Sequence, residues 1–104
     1  MNPAAILAGL EALTIENARF GHREHVAAAW EALRQDSFVV AARRISTALS
    51  RFAAHCGKPD RYDEELTLGY LLRIAAGQAR LGPGATWEQF CAGAPEVFQH
   101  RRTG

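Results

Sequence analysis

Residues 20–33 read FGHREHVAAAWEAL. The stretch is rich in alanine and holds no proline, so it predicts an α-helix. At about 100° per residue, Ala18, His22, Val26, Ala29 and Leu33 fall on one line. His25 lies one row over, beside Ala29 and Ala32, while Arg23, Glu24 and Glu31 point elsewhere. Two imidazoles therefore stand within an apolar stripe. An imidazole so placed needs a polar partner from another segment.

The neighbouring segments are also helical in pattern. Asn2-Pro3 sets a cap residue before a proline at the first helical position, opening a first helix to about residue 12 or 13. Thr14 is positioned to cap a second helix over about residues 15–35, with Gly21 as its weak point. Asp36 or Ser37 caps a third, whose stripe is Phe38, Ala42, Ile45, Leu49, Phe52 and Cys56, closed by Gly57. After the turn Lys58-Pro59-Asp60, a fourth helix capped by Asp60 runs to Arg80 or Leu81 and stops at Gly82-Pro83-Gly84. Thr86-Trp87-Glu88-Gln89 is a capping box for a short fifth helix. A last turn around residues 95–100 and a frayed polar tail at 101–104 complete the reading. No stretch alternates with period two. The expected fold is an all-α, compact bundle of four to five helices in a single domain.

The chain has 104 residues, 48% hydrophobic and 22% charged, with a net charge of +1. That is one ordinary globular domain, and so balanced a charge gives no electrostatic basis for a nucleic-acid partner. Arg43, Arg44 and Arg51 read as a solvated helix face. Two cysteines are too few for a disulfide framework or a thiolate zinc site. The apolar N-terminal segment lacks a basic leader and is broken by Glu11 and Glu16. It predicts neither a signal peptide nor a membrane partner, and hence a cytoplasmic location.

The fourth helix supplies partners for the histidines. Its inward line is Asp63, Thr67, Tyr70, Ile74 and Leu81, with Glu64 on the flank. In an up-down bundle the second and fourth helices run parallel, so His22, His25 and Asp63 fall at one end. Nitrogen and oxygen donors in that combination suit a divalent metal, zinc or iron, with His22, His25 and Asp63 as ligands. Glu64 would then be a fourth ligand or general base, and Thr67 and Tyr70 would orient substrate or water. Two other readings remain open. One is a buried network in which a histidine donates to Asp63; the other is acid–base chemistry without metal. His55 and His100 read as solvated, Trp30 and Trp87 as packing, and Tyr62 as the pocket rim. Cys56 falls on a core stripe and Cys91 on the short helix, so no nucleophile stands out.

The pattern F-x-H-x-x-H-x-x-x-A-W, here Phe20, His22, His25, Ala29 and Trp30, recurs with a later Y-x-E-x-L-T, here Tyr62, Glu64, Leu66 and Thr67. Together with Arg51 to Gly57 and Trp87 to Phe90, it resembles a family of small bacterial all-helical proteins without an established activity. The second motif of that family reads Y-H-E-T-I-T, so Asp63 replaces a histidine and Glu65 a threonine. The resemblance implies that the polar residues of the two motifs form a functional site, and it implies no particular reaction. The expectation is a His/carboxylate pocket that binds a divalent metal and acts on a small-molecule substrate. The alternative is a non-enzymatic interaction or regulatory module, engaging another protein or forming a homodimer. Its contact would be the apolar first helix, with Ile6, Leu7 and Leu10, or the arginine face.

Overall fold

The computed structural model describes residues 1–99. It contains five α-helices: α1 (Pro3–Ala12), α2 (His22–Gln35), α3 (Phe38–His55), α4 (Glu64–Leu81) and α5 (Trp87–Gly93). Short 3₁₀ turns at Asn17–Arg19, Pro59–Arg61 and Pro95–Phe98 join or follow them, and no strand occurs among the described residues. The all-α bundle is the fold. The expectations for His100 and the tail at 101–104 lie outside the described residues.

Most helix starts follow their local chemistry. The side chains of Asn2, Ser37 and Thr86 accept hydrogen bonds from the first-turn amides of α1, α3 and α5. Gly57, at φ 76°, carries the chain out of α3 in a conformation that other residues rarely adopt. Two starts differ from expectation. The second helix breaks before Gly21, leaving a 3₁₀ turn, and α2 begins at His22. The fourth helix begins three residues late, because Asp63 rather than Asp60 accepts from the backbone amide of the third residue beyond it, Leu66, at 3.0 Å.

Helix α2 is the axis of the fold. Every residue from Val26 to Ala32 is buried. Helix α1 lies along it through Leu7 and Leu10, both buried. Helices α2 and α4 run parallel. The His22 and Tyr70 rings lie 4.8 Å apart, and eight residues further along both helices Gln78 Nε2 donates to the Trp30 carbonyl at 2.9 Å. Helix α5 docks against both through Trp87 and Phe90, whose rings pack with Trp30 and Phe98. Gly77 permits the approach: a Cβ there would meet the Phe90 ring at 3.0 Å.

Two of the three arginines read as a face of α3, Arg44 and Arg51, make contacts within the chain, while Arg43 is exposed. Arg44 binds Glu11 through two nitrogens, at 2.6 and 2.9 Å, and Asp36 at 3.2 Å, pinning the end of α1 to the α2–α3 corner. Arg51 donates to the Glu11 carbonyl at 3.4 Å. Glu31, placed outward by periodicity, is 3% exposed. Burial pushes its carboxyl up, but hydrogen bonds from Arg34 and Gln35 and the charges of Arg34 and Arg44 hold it below the ordinary 4.5.

The hydrogen bonds from Arg44 likewise hold the Glu11 carboxyl below 4.5, against the opposing effect of burial. A lowered folded pKa stabilises the native state above the unfolded value, and that stabilisation is lost as pH falls through the folded one. The contribution of this pair is therefore expected to be level from pH 7 to about 5 and to be lost as the pH falls below 4.5. Because the Glu11–Arg44 pair is part-exposed, its share is about 1 kcal/mol. Thermal melts across this range should show a shallower acid loss in Glu11→Gln than in the parent chain; parallel curves would refute the assignment.

Candidate functional site: a cavity between α2, α3 and α4

A cavity of about 400 Å³ opens between α2, α3 and α4. Its floor is apolar, formed by Val26 and Ala29 of α2, Ile45, Leu49 and Phe52 of α3, and Leu71 and Ile74 of α4. One end is polar, lined by the first turns of α2 and α4 and the turn between α3 and α4. The histidines of the opening motif belong to that end. The apolar stripe of α2 begins at Val26, where burial begins, and the turn before it rises to the mouth.

His22 is half-buried, and its Nε2 lies 2.8 Å from the Val97 carbonyl. A carbonyl only accepts, so Nε2 carries a proton and Nδ1 is the basic nitrogen of the neutral ring. The edge of the His22 ring meets Tyr70. His25 is exposed and stacks on Phe20 at 4.1 Å between ring centres, and Phe20 in turn meets Phe52 edge-on at 5.0 Å. The Phe20 ring thus fixes one histidine and roofs the apolar floor.

The expected residues divide. His22, His25, Asp63, Thr67 and Tyr70 all line the cavity, and so does Tyr62, as a rim residue should. They share a cavity rather than a coordination sphere: among the described residues, no three His, Cys, Asp or Glu side chains gather closely enough to hold a metal ion. Asp63 is occupied as the cap of α4, and the Thr67 hydroxyl donates back to the Asp63 carbonyl at 2.9 Å. Asp63 is exposed rather than set in a buried stripe, because it precedes the helix instead of lying within it. Glu64 does not line the cavity; it is exposed, and Tyr62 Oη lies 3.5 Å from its Oε1.

Two lining residues were not anticipated from the sequence. Lys58 and Arg61 border the polar end. The turn that holds them reads only as a connection until α3 and α4 are placed together. Cys56 also lines the cavity, from the last turn of α3. Cys91 lies elsewhere, beneath Arg23, whose Nη2 is 3.4 Å from its sulfur; burial still pushes that thiol up, away from thiolate chemistry.

Comparison with protein-family models, with curated proteins and with solved structures finds no match to the chain. Among the described residues no helix is long and apolar enough to cross a membrane.

If Asp63 serves as a cap, Asp63→Ala lowers stability by about 1 kcal/mol, while Glu64→Ala changes it by less than about 0.5 kcal/mol. Urea unfolding of the two variants measures both; equal effects would remove the distinction.

Proposed function

We propose that this chain binds a compact small molecule in the cavity between α2, α3 and α4. One observation carries the reading: a cavity of about 400 Å³ with an apolar floor and polar side chains gathered toward one end. The volume falls within the range of ligand pockets, and convergence of a few polar groups on an apolar cleft is their usual form. The apolar body of the ligand would lie against Ile45, Leu71 and Ile74, and its polar group would lie toward the polar end of the cavity, on the side of His22, His25, Thr67 and Tyr70. His22 supports a chemical role beyond binding. Its ring is oriented by the hydrogen bond to the Val97 carbonyl, an alignment that acid–base chemistry requires.

Ala53 lines the cavity from α3 and is only half-buried, so a larger side chain there fills space without displacing the core. Nile red is expected to bind the parent chain saturably at one site and to be displaced by octan-1-ol. Ala53→Phe should abolish that binding with an unchanged helical spectrum and melting temperature. Unaltered binding by this variant would place the dye, and the function, elsewhere.

The divalent-metal reading of His22, His25 and Asp63 is the second one. It draws support from the opening of all three onto one cavity and from the His22–Val97 hydrogen bond, since metal-bound histidines commonly donate their other nitrogen to a carbonyl. On this reading, untagged protein dialysed with zinc or iron(II) retains one equivalent, and the double variant His22→Ala/His25→Ala retains none. Equal substoichiometric metal in both would end it.

A further inference from the structure

The charge at the mouth of the cavity names a ligand class. Lys58 and Arg61 flank a 3₁₀ turn closed by a hydrogen bond from the Arg61 amide to the Lys58 carbonyl at 3.0 Å. Positions three apart in such a turn lie on the same side. Both residues accordingly border the polar end of the cavity. Neither forms an ion pair among the described residues, although Asp60, Asp63, Glu64 and Glu65 follow within a few positions. Arg44, by contrast, engages two carboxylates at once.

Among the described residues Asp63 is the one carboxylate in the lining, and it is turned to its own helix, with Oδ1 on the Leu66 amide. Two exposed cations therefore border the mouth against one carboxylate that is already hydrogen-bonded. Cations on an open surface attract any anion weakly. Cations at the rim of a concave apolar floor select a molecule that carries both an anionic head and an apolar body. A guanidinium beside an ammonium suits a carboxylate in particular, because the fork of the first gives paired hydrogen bonds and the second a point charge.

We infer that the ligand of this cavity is an amphipathic monocarboxylate, its chain or ring on the apolar floor and its carboxylate between Lys58 and Arg61. The inference rests on the small-molecule reading above and specifies the chemistry of the same pocket.

A matched series tests it on the full chain by calorimetry at low ionic strength: octanoate, octan-1-ol and octylamine. Octanoate is expected to bind at least tenfold more tightly than octan-1-ol, and octylamine more weakly than either. The advantage of octanoate should shrink in 0.5 M salt, where exposed charges about 4 Å apart are screened. Lys58 and Arg61 are both exposed, so Lys58→Gln/Arg61→Gln should fold and melt like the parent. That variant should bind octanoate and octan-1-ol equally, with the alcohol's affinity unchanged. If the alcohol binds the parent chain as tightly as the acid, the anionic head is refuted while the pocket stands. If the double variant keeps the preference for the acid, Lys58 and Arg61 are not its source. If none of the three binds, the small-molecule reading itself falls.

Discussion

The enclosure of α2 governs the molecule. A helix buried on all sides has to present small side chains wherever its neighbours come close, and α2 does so with Ala27, Ala28, Ala29 and Ala32. Their size lets α1 lie along it. On the side facing α3 and α4 the same economy of volume leaves space unfilled, because Ala29 stands where Ile45 and Ile74 face inward. The space is a cleft open to solvent at its mouth, so the interior beneath it keeps its close packing. The hollow and the bundle thus share one cause.

Polar groups are distributed around that axis by the same constraint. Where α2 is enclosed, its one carboxylate, Glu31, is held by Arg34 and Gln35 from its own last turns. Where α2 emerges, its imidazoles are served by other segments: a backbone carbonyl near the chain's far end for His22 and an aromatic ring for His25. The apparent conflict of two histidines in a greasy stripe dissolves because burial, and the stripe with it, begins one turn after His22, at Val26.

How much of this was legible depended on the range of the interaction that decided each feature. Caps at Asn2, Ser37 and Thr86 and the glycine exit at Gly57 are local, and they could be read from a few letters. The start of α4 was a contest between two aspartates three residues apart, and the sequence offers no local reason to prefer Asp63. That contest moved Asp63 from an inward helical position to an exposed cap. The lining role of His22, His25, Thr67 and Tyr70 followed from helical phase and the parallel course of α2 and α4. Glu64, on the flank, fell outside the cavity for the same reason of phase. Lys58 and Arg61 were hidden because a turn has no face until the helices it joins are packed. Glu31 was misplaced because periodicity assumes one wet side, and α2 has none over that stretch.

The hydrogen bond between His22 and Val97 joins positions 75 residues apart. A contact of such separation closes a long loop, so it costs more chain entropy than any helix cap and forms after the local structure is in place. A chain shortened to end before Val97 would lose the acceptor that aligns the His22 ring, so the far end of the sequence sets the geometry of a residue near its beginning.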